Sequence, residues 1–161
     1  MKRVFVSLGN SKYNFDRLLN LIANIDSSIY VTVQMGYAEV PGALEDRNNT
    51  RFVDFLSSQE FKHEIMISTH CIGHAGVGFI SSCIETNRKP AVMCRIKKHN
   101  EHLNDHQLLF ARAYESDLLF DVINDMDDLY IFLETREPRP SRKYINNLDP
   151  IINFLNKEIC K

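Results

Sequence analysis

The sequence predicts an α/β protein: a mostly parallel sheet with helices on both faces. Two observations point there. Short apolar, β-branched runs alternate along the chain with segments whose apolar residues recur every three to four positions. The 161 residues, 44% hydrophobic and 25% charged with no repetitive tract, have the size and composition of one globular domain.

The elements follow in order. Arg3 to Leu8 reads as a buried strand ending in Gly9-Asn10. Asn14 is a candidate helix cap, and Phe15, Leu18, Leu19, Ile22 and Ile25 then keep helical spacing. A β-branched strand, Ile29 to Met35, stops at Gly36. Tyr37 to Thr50, with Pro41, Gly42 and Asn48-Asn49, reads as a long loop. A strand at Arg51 to Asp54, a helix at Ser58 to Ile67 and a strand at His70 to Gly73 come next. After Gly76-Val77-Gly78 a helix runs to about Asn87, followed by a strand from Pro90 to Arg95. Lys97 to Asn104 is polar and reads as loop. A helix from Asp105 to Tyr114, a strand from Leu118 to Val122 and a helix from Met126 to Leu133 complete the alternation. Beyond the domain at 1–135, residues 136–161 read as a basic, proline-containing linker and a last helix from Asp149-Pro150 to Glu158, which packs on the domain or docks a partner.

Several classes of function are excluded. Nineteen Lys+Arg against 21 Asp+Glu, a formal charge of −2, speaks against an electrostatic nucleic-acid binder. No apolar run approaches the roughly 20 residues of a membrane span, and the amino end lacks the apolar stretch of a signal peptide, so the expected location is cytoplasmic. Cys71, Cys83, Cys94 and Cys160 include no Cys-x-x-Cys pair and read as reduced, buried small hydrophobes.

In a parallel sheet, ligands bind beyond the carboxyl ends of the strands, which directs attention to the loops Gly9–Tyr13, Gly36–Thr50, Gly73–Gly78 and Arg95–His106. Gly73-His74-Ala75-Gly76-Val77-Gly78 lies between a strand and a helix, where glycines let an anion approach free N–H groups; a tight turn is the plainer alternative. No third glycine of a dinucleotide fingerprint follows, since that position is Ser81, and no Gly-Lys-Ser/Thr occurs. His99, His102 and His106 with Glu101 and Asp105 would suit zinc only if the stretch were helical; its polarity favours a loop, so no metal site is expected. Arg95, Lys97 and Lys98 either face a diphosphate or are solvated. Glu85 either reaches the cleft or is solvated.

Taken together, Val4–Asn10 with Phe15–Leu18, Gly73–Gly78, Lys89-Pro90 and Glu101–Leu108 resemble the C-terminal, donor-binding domain of family 28 glycosyltransferases. The likeness is to single-domain bacterial subunits of capsular and exopolysaccharide synthesis, related to the catalytic subunit of the split N-acetylglucosaminyltransferase acting on dolichol-linked precursors. Asn10 stands where the family often has Thr, and Phe79 replaces a small hydroxyl residue. The acid that contacts ribose in the family, about six residues after the first glycine, is displaced here, leaving Glu85 as the candidate.

The resemblance implies a Rossmann-like domain, one half of a two-domain glycosyltransferase of the GT-B type. It implies inverting transfer from a UDP-sugar to a lipid-linked saccharide, with no cofactor. It assigns donor contacts to Gly9, Asn10, Gly76, Val77, Gly78, Phe79, Arg95, Asn104, Asp105, His106 and Gln107. His74 is the candidate general base or phosphate donor; an equally open alternative is a structural histidine held inside the loop. The expected partner is a membrane-anchored subunit that binds the acceptor, placing the chain at the cytoplasmic face of the membrane. A non-catalytic enhancer of a partner transferase is the second reading, and a stand-alone nucleotide sensor the third.

Overall fold

In the computed structural model, which describes residues 2–114, 119–136 and 138–139, six strands form one sheet. They are β1 (Arg3–Ser7), β2 (Tyr30–Gln34), β3 (Thr50–Val53), β4 (His70–His74), β5 (Ala91–Met93) and β6 (Asp121–Val122). All pair in parallel, in the order β3-β2-β1-β4-β5-β6. The helices that follow them in turn are α1 (Asp16–Ala23), α2 (Gly42–Glu45), α3 (Ser58–Ile67), α4 (Val77–Glu85), α5 (His106–Tyr114) and α6 (Met126–Glu134).

Both faces of the sheet are covered, and the period-2 alternation of each strand sorts its side chains between them. Val4, Val6, Val31 and Val33 enter one apolar layer with Leu18 and Ile22 of α1 and Leu129 and Leu133 of α6. Phe5, Cys71 and Val92 enter the other, with Ile65 of α3, Phe79, Ile80 and Cys83 of α4 and Phe110 of α5. Cys71, Cys83 and Cys94 are buried free thiols. Burial and the neighbouring Cys71 hold the Cys83 thiol well above the ordinary cysteine range.

The elements differ from expectation in three places. Helix α1 is capped by the backbone of Phe15, not by Asn14, whose carbonyl is taken by the guanidinium of Arg95 at 3.1 Å. The expected loop at 37–50 contains α2, a single turn anchored by the fully buried Leu44. The polar stretch after β5 opens with a 3₁₀ turn at Lys97–His99, closed by Asn100 at φ 56°. Of the basic linker, Pro138 and Arg139 return to the turn before β5: the Pro138 carbonyl accepts from Lys89 N–H at 3.0 Å, and Arg139 donates to the Asn87 carbonyl at 2.8 Å. The last expected helix lies outside the described residues. Among those described, no helix is long and apolar enough to cross a membrane.

Candidate functional site

The strand order reverses between β1 and β4, because β1 leads on to β2 and β3 on one side while β4 leads to β5 and β6 on the other. The loops leaving two such strands diverge and open a crevice. A cleft of about 710 Å³ lies there. Its floor is Ser7, Gly9, Asn10 and His74; one wall is Gly78, Phe79 and Ser82 of α4; the other is Phe55, Leu56, Ser58, Phe61 and Lys62.

Two helices start at this cleft, and their amino ends differ. The first turn of α3 is closed by a capping box: Ser57 Oγ accepts from Glu60 N–H at 3.3 Å, and Glu60 Oε2 accepts from Ser57 N–H at 2.8 Å. Helix α4 has Gly76 at the cap and no side-chain hydrogen bond there. Its first N–H groups thus carry no side-chain partner, and Gly78 and Phe79 of its first turn line the cleft.

His74 occupies the junction of the two loops. Its Nδ1–H donates to the Ser7 carbonyl at 3.3 Å, and its ring lies roughly parallel to that of Phe79, with centroids 6.2 Å apart. Three glycines shape this junction. A Cβ on Gly9, which sits at φ +76°, would meet the imidazole at 2.6 Å. A Cβ on Gly76 would overlap His74 Nε2, and one on Gly73 would meet Phe79 and the Ser7 carbonyl at 2.7 Å. Gly78 is different: it has open space around it and ordinary backbone angles. Burial pushes the His74 pKa down to about 4; the Ser7 hydrogen bond opposes this, while the Arg95 and His102 charges add to it. The ring is therefore neutral at pH 7, and with Nδ1 donating, Nε2 is an acceptor.

Of the expected site residues, Gly9, Asn10, His74, Gly78 and Phe79 line this cleft. Gly76 and Val77 stand behind them, at the cap and first residue of α4. The second expected group does something else. Arg95 does not face a diphosphate; it is 1% exposed and its guanidinium donates to the carbonyls of Leu8, Tyr13, Asn14 and Glu101 at 2.8–3.1 Å. Burial lowers its pKa to about 10, with Glu101 opposing. Asp105 accepts from Lys97 N–H at 2.8 Å, Asn104 Oδ1 accepts from His106 N–H at 3.3 Å, and Gln107 Oε1 accepts from Arg95 N–H at 3.0 Å. None of the five, Arg95, Asn104, Asp105, His106 and Gln107, borders the cleft. Glu85 is also outside it, ion-paired with Lys62 at 2.8 Å and half exposed. Among the described residues no three His, Cys, Asp or Glu converge to hold a metal ion.

The sequence reading missed Gln34. It is 3% exposed, accepts from Ser7 Oγ at 2.9 Å and donates to the Asp54 carbonyl at 3.1 Å, tying β1, β2 and the end of β3 together beneath the cleft. Polar residues closing apolar strands, Ser7 and Gln34, are the signal that marks it. Phe55 was also missed: it is half exposed at the cleft wall and packs edge-to-face on Tyr37, centroids 5.0 Å apart. No pattern in the loop after β3 distinguishes it from an ordinary turn residue.

The fold and site together define an open, doubly wound α/β domain whose cleft lies at the switch point of its sheet. Solved structures share that fold. The glycotransferase of kitacinnamycin aligns with a TM-score of 0.58 and 15% identity, over 83% of this chain and 34% of its own. CalG4, the calicheamicin glycosyltransferase, aligns equally, at 0.58 and 15% over 83% and 34%. The glycosyltransferase SnogD from Streptomyces nogalater aligns at 0.53 and 14% over 83% and 35%. The likeness is one of fold: this chain has the architecture of one half of a GT-B glycosyltransferase and spans about a third of each of these proteins. No protein-family model and no curated protein matches the sequence.

Proposed function

We propose that this chain is the donor-binding half of a glycosyltransferase that moves a sugar from a UDP-sugar to a lipid-linked saccharide with inversion. The observation that carries the reading is the uncapped amino end of α4, opening beside Gly78 onto the switch-point cleft of a fold shared with glycosyltransferases. A diphosphate fits there for two reasons. Unshared N–H groups and the helix dipole favour an anion, and a glycine with open space lets it come close. The apolar wall of Phe55, Leu56 and Phe61 suits the face of a nucleobase.

In the reaction an acceptor hydroxyl attacks the anomeric carbon and gives its proton to a general base, for which His74 is the candidate; the glycosidic bond to the diphosphate breaks, and UDP leaves with its pair of electrons. The work of this half is to hold the leaving group as its charge grows, a task for preorganised amides that needs no cofactor. His74, neutral and with Nε2 as acceptor, takes a hydrogen bond from a hydroxyl; donation to phosphate would require a second proton, which burial opposes. The acceptor is bound by a separate, membrane-anchored subunit, which brings this chain to the cytoplasmic face of the membrane.

One feature favours the second reading, a non-catalytic enhancer. Phe79 is 3% exposed and stacked on His74 where a small hydroxyl residue would donate to a ligand. Calorimetric titration with UDP, followed by a transfer assay with the co-expressed partner, separates the two. UDP binding together with transfer supports the enzyme, transfer by the partner that rises with this chain although the chain binds no UDP supports the enhancer, and neither UDP binding nor an effect on transfer removes both.

A further inference from the structure

The group that the sequence places beside the ligand, but the structure withdraws from it, has a use of its own. Arg95 follows β5, across the sheet from the loop that leaves β1. Its Nη2 donates to the Leu8 carbonyl at 2.8 Å, and its Nη1 to the carbonyls of Tyr13 at 2.9 Å and Asn14 at 3.1 Å. Leu8 immediately precedes the Gly9–Lys12 segment, and Tyr13 and Asn14 immediately follow it. One planar fork thus grips both ends of the loop that carries Gly9 and Asn10 into the cleft. The guanidinium also lies over the ring of Phe15, 4.4 Å from its centroid, at the foot of α1.

The clamp is itself held. Nη1 also reaches the Glu101 carbonyl at 3.1 Å. The buried Glu101 carboxylate accepts from Ile96 N–H at 3.0 Å and takes Arg17 of α1 in a two-point pair at 2.6 and 2.8 Å. Arg17 completes the circuit by donating to the Cys94 carbonyl at 2.8 Å. Gln107, at the start of α5, fixes the Arg95 backbone.

We propose that Arg95 is a positioning residue: with the Arg17–Glu101 pair behind it, it sets the conformation of the Gly9–Lys12 loop and so the floor of the cleft, without touching the ligand. A lysine keeps the charge but offers a single ammonium, which cannot span carbonyls at both ends of the loop as a planar fork does. The inference rests on the donor-site reading for its consequence, but the loop conformation can be measured without any ligand.

The test compares wild type, Arg95→Lys and a control, Leu129→Ala, which removes packing in the layer under α6. In ligand-free protein, amide NMR order parameters of Gly9–Lys12 should fall in Arg95→Lys while those of Val77–Phe79 stay; the control should change neither, even if equally destabilised. Titration with UDP should then show affinity at least tenfold weaker in Arg95→Lys and within twofold of wild type in the control. If Arg95→Lys does not fold, Glu101→Gln, which weakens the support while leaving the Glu101 carbonyl in place, should loosen the same loop. A loop as rigid in the folded variant as in wild type overturns the positioning role, whatever UDP does. Failure of wild type to bind UDP, with the loop loosened as expected, overturns only the donor-site reading.

Discussion

Two loops at the carboxyl edge of the sheet, the short glycine-bearing one after β4 and the long polar one after β5, differ in composition and do opposite things. The β4–α4 loop is poor in internal hydrogen bonds: its histidine makes one, its helix is uncapped, and Gly78 has open space around it. The β5–α5 loop spends its arginine, its glutamate, Asn104, Asp105 and Gln107 on the protein itself. A polar side chain near a cleft is ready for a ligand only if its hydrogen bonds are not already taken. The first loop leaves its hydrogen-bonding groups open, while the second turns most of its own on the protein, with Arg95 Nε buried and unpartnered.

The contrast breaks most sharply at the glycines. Gly76→Ala places a methyl group into the His74 ring, so thermal denaturation should show a loss of several degrees and UDP affinity should fall more than tenfold. Gly78→Ala meets nothing. Its melting temperature should stay within about a degree of wild type, or rise slightly through helix propensity, while UDP binding still weakens. Equal UDP affinity in Gly78→Ala and wild type would remove the reason for calling this loop ligand-facing.

Next in size is the pH dependence. His74 has a pKa of about 4 in the fold against roughly 6.5 in an unfolded chain. As pH falls from 6.5 to 4 the unfolded chain takes up a proton that the native site refuses. Stability is therefore complete above 6.5 and is lost on the order of 3 kcal/mol across that window. Urea denaturation at a series of pH values should show the slope, and His74→Gln should flatten it.

In the network after β5, Gln107→Ala removes the acceptor of Arg95 N–H and should cost about 1–2 kcal/mol of stability in the same experiment. The smallest effect belongs to Glu85. Its pair with Lys62 is half exposed, so Glu85→Gln should change stability by less than about 1 kcal/mol in the same experiment.

These differences explain how far the sequence could be read. Alternating periods and turn residues identified nearly every described element, because burial on both faces of the sheet imposes those periods directly. The exceptions are α2, one turn held by a single leucine, and the 3₁₀ turn at Lys97–His99; both are too short to leave a period to see. At the site, Gly9, His74 and Gly78 were legible because a strand, a glycine turn and a helix start are local events. The fate of Arg95 was not. Its carbonyl partners lie as far as 87 positions away, and nothing in a lone arginine after a strand says whether it points outward or inward.

The strand order also has a consequence in time. β1 is made before the other five strands of this sheet and is one of its two central strands, with its neighbour β4 pairing Val4 to His70 across 66 residues. It can pair with β2 early, but the side that bears the cleft stays open until β4 is made. Long-range parallel pairing of this kind forms slowly. The crevice between the two strands is thus assembled late in folding, and a nucleotide that binds it should protect the β1–β4 seam first among all the contacts of the sheet.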